Sequence, residues 1–488
     1  MDSKKEINFK LIAKFNGLLL IILSGFMLIS AIWSWQYEET EATKAILLSV
    51  GITLCTGLLM YILSYHHDHR NIGKKEGYII VTLTWVSISI FGALPFYISG
   101  AIPSYTDAFF ETISGFTTTG ATILYEIESV SKGLLFWRSL TQWLGGMGII
   151  VLTLAVLPIL GVGGMQLFVA EAPGTTPNKI HPRIAQTAKR LWGIYIILTL
   201  IQTILLMLGN LSFFDSICHA FTTMATGGFS TYNDSITGFT PYTQYIIILF
   251  MIFAGVSFSL HYYILKGNFS KVLENEEFRF YILLILGITA VFTVSILIFE
   301  QAGFEKSFRD SLFQVVSILT TTGFNTVDYL AWQQYLWFIL FLLMFTGGCI
   351  GSTGGGLKII RVLILLKNSR LELKRLIHPM AIIPVRINKK TIPQEINQNF
   401  LAFFLIYIML FVAGTLLMTI FDLDFASAAG ASAATIGNIG PGIGSVGPLE
   451  NYAHIPDAGK WILSFLMLIG RLELFTVLLL FSPSFWKK

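Results

Sequence analysis

Apolar runs longer than 18 residues follow one another along most of this 488-residue chain, and few folds accommodate them. A helix needs about 20 apolar residues to cross a hydrocarbon layer roughly 30 Å thick. Charged residues make up 12% of the chain and hydrophobic ones 54%, whereas soluble domains run near ~25% charged. The runs therefore read as spanning helices, and the chain as an all-α polytopic membrane protein. A net charge of +4 is too small to argue for a nucleic-acid partner. Cys55, Cys218 and Cys349 lie far apart in apolar surroundings and form neither a metal-ligand spacing nor a disulfide framework. The first apolar run is too long for the core of a cleaved signal, and no small-residue cleavage site follows it, so it reads as a retained helix.

Between the long runs a short glycine phrase occurs four times. The copies are Thr117-Thr118-Thr119-Gly120-Ala121-Thr122, Ala225-Thr226-Gly227-Gly228-Phe229-Ser230, Thr320-Thr321-Thr322-Gly323-Phe324-Asn325 and the degenerate Asn438-Ile439-Gly440-Pro441-Gly442. Asp107, Asp215 and Asp310 each stand thirteen residues before Gly120, Gly228 and Gly323, and Ser427 holds that place before Gly440. Thirteen residues of helix rise about 20 Å, too little to cross a bilayer. Each copy thus reads as a half-length helix that begins near an acid and stops at a glycine. The acid suits the start because it caps free N–H groups at the positive dipole end. The glycine suits the stop because it adopts backbone angles that other residues resist. Irregular backbone survives at membrane depth only inside protein or along a water-filled path. Four such stops predict a ring of backbone carbonyls around one axis, the arrangement with which channel filters replace an ion's hydration shell.

Taken in order, residues 1–77 read as a two-helix segment, with helices near 11–35 and 44–65. Four units of helix, half-helix, glycine stretch and helix follow, over 78–165, 166–272, 273–390 and 391–488. This plan predicts ten spanning helices and four re-entrant ones, the second helices of the units lying near 131–160, 241–266, 332–366 and 458–482. Connections between units carry Lys179, Arg183, Lys189 and Arg190, then Lys266, Lys271 and Arg279, then Lys367, Arg370, Lys374, Arg375, Arg386, Lys389 and Lys390. By the excess of basic residues in cytoplasmic loops, these connections and both termini face the cytoplasm, and Glu38, Glu39 and Glu41 face outward.

The four-unit plan, Phe116 to Gly120, Met224 to Ser230, Thr322 to Asn325 and Asn438 to Gly442 together resemble the Trk/Ktr/HKT superfamily of cation transporters. The two extra N-terminal helices, the stretch Gly347 to Lys358 and Gly470-Arg471-Leu472-Glu473-Leu474-Phe475 are most similar to its branch of membrane subunits of Trk potassium-uptake systems. The resemblance covers nearly the whole chain. It implies potassium uptake across a bacterial cytoplasmic (inner) membrane. K+ is then the transported ion, and no covalently bound cofactor is expected. It also implies a homodimer with one pore per subunit and a cytosolic nucleotide-binding regulatory ring of the TrkA type. In the plant branch a serine at the first filter position goes with sodium transport; here that position is Gly120.

On this matching the expected ion-binding residues are Thr119, Gly120, Gly227, Gly228, Thr322, Gly323, Ile439 and Gly440, acting through peptide carbonyls. A straight helix is not expected across Gly347, Gly348, Gly351, Gly354, Gly355 and Gly356, each glycine costing about 1 kcal/mol against alanine. The segment reads either as close helix packing through small residues or, as the resemblance implies, as an intramembrane gate. Arg471 lies mid-run, where a bare cation costs at least ~2.5–3.5 kcal/mol. It either pairs with an acid such as Glu473 or faces the pore as a barrier; Lys358 either does the same from the glycine segment or sits at the cytoplasmic edge. Glu111, His219 and His261 read as satisfied packing residues. The competing classes are a sodium-permeable relative, a membrane enzyme and a scaffold without flux. An enzyme needs convergent acids, histidines or metal ligands, and the chain shows no such cluster, no HExxH and no GxSxG.

Overall fold

The computed structural model describes residues 7–64, 74–148, 184–301, 303–381 and 383–487. Six helices among them are long and apolar enough to cross a membrane: Phe9–Gln36, Thr40–Leu63, Lys75–Ile98, Lys189–Leu208, Glu276–Phe299 and Ile396–Ile420. The first two pack as a hairpin, and the other four open the four units. The four half-helices are Tyr105–Phe116, Phe213–Met224, Phe304–Leu319 and Phe425–Gly437. They lie at the centre and are buried along nearly their whole length. The opening helices surround them, with Leu283, Leu286, Ile298, Leu405 and Met409 turned outward as a lipid-facing surface requires.

The second helices of units one, two and four depart from the spans expected from hydropathy, and that of unit three is interrupted at its glycines as expected. In unit two, Pro241–Gly255 and Phe258–Leu265 meet at 104°, and in unit four Asp457–Arg471 and Phe475–Phe481 meet at 112°. In unit three, Gln334–Leu343 and Ile359–Ile377 are separated by the glycine-rich segment. In unit one, Lys132–Trp143 passes into a π-helical turn over Leu144–Gly148. The rest of the helix expected over 131–160, the unit boundary at 165/166, and Lys179 and Arg183 lie outside the described residues. The breaks have local causes. The Gly255 carbonyl accepts from Cys349 N at 2.8 Å, and Phe258 N donates to the Gly351 carbonyl at 3.0 Å. The backbone of unit two thus turns aside to bond the glycine segment of unit three. In unit four, Glu473 and Leu474 take left-handed φ values of 55° and 50°, which no α-helix tolerates.

The half-helix starts also correct the expected caps. Ser104 and Ser212 are the N-caps of the first two, each accepting from the N–H of Asp107 or Asp215 three residues on. The Asp215 carboxylate in turn accepts from Ser212 Oγ at 2.6 Å, which fixes the capping hydroxyl. Asp424, three residues before Ser427, caps the fourth. The third starts at Gly303, which leaves Asp310 within its second turn.

The connection from unit three to unit four is structured as well. The helix continues to Ile377, and a two-stranded hairpin pairs Arg386 with Thr391 and Ile387 with Lys390. The N-terminal hairpin is joined to unit one by Glu39. Its carboxylate accepts from Lys132 N at 2.6 Å and Gly133 N at 3.1 Å, capping the helix Lys132–Trp143 with a negative charge at its positive end. Within the hairpin the helices touch backbone to backbone. A Cβ on Gly17 would lie 2.7 Å from the Gly57 carbonyl oxygen, and one on Gly57 would lie 2.9 Å from that of Gly17. Gly51 on the same helix faces open space. Gly57→Leu should therefore cost about 1–3 kcal/mol by overpacking, while Gly51→Ala should be neutral or gain up to ~1 kcal/mol. Thermal unfolding of the two purified variants against the parent protein checks both.

Candidate ion-conducting site

All four half-helices end in the same turn. Thr118 N bonds the Gly115 carbonyl and Thr119 N the Ser114 carbonyl, at 2.9 and 2.8 Å. Thr226 and Gly227 repeat this to Thr223 and Thr222, Thr321 and Thr322 to Ile318 and Ser317, and Asn438 and Ile439 to Thr435 and Ala434. This is the Schellman closure, which calls for a left-handed residue and usually finds glycine there. Here Thr118, Thr226, Thr321 and Asn438 occupy it at φ 53°, 54°, 60° and 53°, all fully buried. A β-branched residue in that region is an outlier that only a constraining environment holds. The left-handed residue that closes each helix thus lies two residues before the glycine expected as its end, and the helices themselves finish three or four residues before it.

The glycines meet a different demand. Gly120, Gly228, Gly323 and Gly440 have φ of 82°, 78°, 82° and 96°. A Cβ on Gly120 would lie 2.1 Å from the Gly227 carbonyl oxygen, one on Gly228 2.0 Å from that of Thr322, one on Gly323 1.8 Å from that of Ile439, and one on Gly440 2.8 Å from that of Thr119. Each glycine therefore abuts the carbonyl that precedes the glycine of the next unit, and the fourth contact returns to the first unit. All eight expected ion-binding residues lie in this closed ring. A cavity above it is lined by Gly120, Gly228, Gly323 and Gly440 together with Tyr125 and Glu450.

A coat of side chains holds the ring, of which Arg138, Gln142, Tyr329 and Tyr452 carried no expectation from the sequence. Gln142 donates Nε2–H to the Gly227 carbonyl at 2.7 Å and accepts from Phe229 N at 3.1 Å. Tyr452 Oη donates to the Gly440 carbonyl and Tyr329 Oη to that of Gly442, both at 2.6 Å. Asn438 Nδ2 reaches Thr119 Oγ1 at 3.0 Å and the Met467 carbonyl at 2.9 Å. Glu111 and Arg138 form a fully buried ion pair at 2.6 Å. Glu111 also accepts from Ile123 N and Thr122 Oγ1, while Arg138 donates to the Ser230 carbonyl and lies over the Phe229 ring. His219 is held between the Asp215 carbonyl and Ser230 Oγ, and His261 bonds the Phe253 carbonyl, so both are satisfied as expected. Arg138 and Gln142, four apart on one helix face, carried a legible signal: polar residues in an apolar run need partners.

On the inner side of these turns lies the segment from Met344 to Lys358. It is a folded loop in close backbone contact. A Cβ on Gly347 would lie 2.0 Å from the Gly355 carbonyl oxygen, one on Gly348 2.8 Å from that of Gly255, and one on Gly354 2.9 Å from that of Thr320. Gly355 N donates to Thr321 Oγ1, and Thr353 Oγ1 to the Met224 carbonyl. Gly351 and Gly356 take the turns, at φ 75° and 63°. The glycines thus serve close packing within a loop rather than within a straight helix. Lys358 is buried and donates to the Gly354 carbonyl, bracing the loop from within. Arg471 donates to the carbonyls of Thr353 at 2.7 Å, Gly145 at 2.6 Å and Gly146 at 2.8 Å. Glu473 is the partner of Arg361 at 2.5 Å. Among the described residues no group of three or more His, Cys, Asp and Glu is placed to hold a metal ion.

Comparison with known proteins agrees with this architecture. The family model described as "TrkH: Cation transport protein" matches residues 42–488. The "Trk system potassium uptake protein TrkH" of Salmonella typhimurium is 40% identical over 488 residues, covering 99% of this chain and 100% of that protein. The protein of the same name from Halomonas elongata is 39% identical, covering 98% and 99%. The "Trk system potassium uptake protein TrkG" of Escherichia coli is 35% identical, covering 85% and 86%. The crystal structure of the potassium transporter TrkH from Vibrio parahaemolyticus superposes with a TM-score of 0.88 at 36% identity, covering 98% of this chain and all of that one. With a matching family model over nine-tenths of its length and the same fold, this multi-pass membrane protein is a transporter rather than an enzyme, and it belongs to the TrkH cation transport protein family.

Proposed function

We propose that this chain carries potassium ions into the cell through the ring at Gly120, Gly228, Gly323 and Gly440. The observation that carries the proposal is the closed cycle of glycine-to-carbonyl contacts, built on four identical left-handed turns. An ion in the ring exchanges water for the carbonyls of Thr119, Gly227, Thr322 and Ile439 and their neighbours, which are fixed before it arrives. The C-terminal, negative ends of four half-helices point at the same place, each favouring a cation by roughly 0.3–1 kcal/mol or more when partly buried. The relatives' names supply the ion: Trk system potassium uptake. The loop from Gly347 to Gly356 acts as the gate beneath the ring, pinned shut by Arg471 and Lys358. The same names speak of a multi-component system, and the basic connections between units offer a cytosolic nucleotide-binding ring a docking face; the transporter works as a homodimer with both termini in the cytoplasm.

The ring geometry ranks its own mutants. Alanine at Gly120, Gly228 or Gly323 drives a Cβ to within 1.8–2.1 Å of backbone oxygen, whereas at Gly440 the nearest oxygen is at 2.8 Å. Gly440→Ala is therefore the least obstructed of the four, and the other three should assemble more poorly. Moving one carbonyl should lower potassium-over-sodium preference about tenfold, equivalent to ~1.4 kcal/mol of discrimination. Flux of potassium, rubidium, sodium and lithium into proteoliposomes measures it, and an unchanged ion order in folded Gly440→Ala would refute the ring as the filter.

The gate makes a separate prediction. Arg471→Ala removes three charge-assisted bonds to carbonyls, each worth about 1.5–3 kcal/mol. Its potassium flux should rise several-fold with ion preference unchanged. A folded variant with parental or lower flux would show that Arg471 does not hold the gate.

Sidedness is tested by single cysteines at Glu41 and Lys389 on a background lacking Cys55, Cys218 and Cys349. They should be modified from opposite faces of sealed vesicles, Glu41 from outside; labelling from one face would reverse the assignment.

A further inference from the structure

The ring is not fourfold in its chemistry. The residue before the glycine is β-branched in three units, at Thr119, Thr322 and Ile439, and a second glycine, Gly227, in unit two. Among the described residues no donor reaches the Thr119, Thr322 or Ile439 carbonyl, whereas the Gly227 carbonyl accepts from Gln142. Gln142 is fully buried, and its carboxamide bonds on both sides of Gly228, donating to the carbonyl before it and accepting from the N–H after it. The contact also explains Gly227. A Cβ there would lie 2.3 Å from Gln142 Cδ, 2.4 Å from Oε1 and 2.7 Å from Nε2. Gly227 thus makes room for Gln142, and Gln142 restrains the peptide that a double glycine leaves loose.

We propose that Gln142, on the second helix of unit one, is a specificity-determining residue of the ring: it locks the Gly227–Gly228–Phe229 backbone of unit two and takes up part of one of its four carbonyls. The proposal rests on the ring being the filter. A carbonyl that already accepts a hydrogen bond has a lone-pair direction occupied and a positive N–H beside it, so it attracts an ion less. A locked peptide cannot draw in around a smaller one. The first effect eases release, which conduction requires as much as entry; the second opposes sodium. Without Gln142 the freed double glycine adapts to sodium or lithium. The helix that carries Gln142 also carries Arg138, which bonds the Ser230 carbonyl two residues beyond Gly228, so the two side chains grip one strand from one surface.

The test compares Gln142→Leu, Gln142→Glu and Gly440→Ala in proteoliposomes with potassium, rubidium, sodium and lithium. An ionised glutamate keeps the acceptor for Phe229 N but offers no donor to the Gly227 carbonyl, so both Gln142 variants should lose potassium-over-sodium preference about tenfold, or ~1.4 kcal/mol, in the protein that reaches the vesicles folded. A merely structural role would lower yield and flux together and leave the ion ratio untouched, and that result overturns the inference. If Gly440→Ala shifts the ratio and the Gln142 variants do not, the ring stands and the role of Gln142 falls. If none shifts it, both fall. Should the Gln142 variants fail to fold, Gly227→Ala decides the contact. Gln142→Asn withdraws the amide by one carbon–carbon bond, about 1.5 Å, and should restore yield to Gly227→Ala but not potassium preference, because the shortened amide no longer reaches the Gly227 carbonyl. A double variant no better than Gly227→Ala alone would also overturn the inference.

Discussion

Four backbone reversals, at Thr118, Thr226, Thr321 and Asn438, are the constraint on which the rest of the molecule depends. Inside a bilayer every peptide group needs a partner, yet a site for a bare ion needs carbonyls without one. The Schellman closure reconciles the two demands. It uses the N–H groups that follow each half-helix on the last helical carbonyls, and leaves carbonyls of the next peptides facing a neighbour unit. Left-handed φ at a residue that is not glycine costs about 1–3 kcal/mol, so four of them are held only because their surroundings are packed without slack. The complete burial of all four residues meets that condition.

The charged residues show how the packing is secured. Glu111 with Arg138, Asp107 with Lys460 and Arg361 with Glu473 are ion pairs at 2.6, 2.5 and 2.5 Å. Removing one partner from such a buried pair is costly because the other charge remains. Asp107 and Lys460 join unit one to unit four, and Arg361 and Glu473 join unit three to unit four. Arg138 extends its pair into unit two through Ser230. Where a neutral contact suffices, the join is made by Gln142, Asn438 or a tyrosine hydroxyl. The interior is thus tied between units by groups that are expensive to separate, which keeps the ring from spreading.

The sequence made the central plan legible because its signals are periodic or repeated. Hydropathy marked the opening helices, and the interval from acid to glycine marked the half-helices. Both are properties of residue order alone. The breaks at Val256 and at Leu472 to Leu474 were not legible, since the runs stay apolar across them and the cause is a bond to a distant loop or a local φ. In units one and two the caps were misplaced by one turn because serine and aspartate stand three apart, and in unit three by two turns, the interval alone not saying which residue caps. Gln142 was passed over as one amide in an apolar run. Its trace was the glycine at 227, where the other units have Thr119, Thr322 and Ile439, but that substitution acquires meaning only when the facing side chain is known.

One further consequence follows from the ring being made by a single chain. In a ring of identical subunits, one codon change strikes four quadrants at once, and the damage multiplies. Here a change strikes one quadrant and leaves three as a template. That dosage permits Pro441 and Ile439 in the fourth stretch, a second glycine in the second, and a proline-free threonine run in the first and third. The quadrants are free to specialise: one side of the ring can be made stiff and another compliant. On the filter role proposed for the ring, selectivity is adjustable in quarter steps, which a symmetric tetramer cannot take.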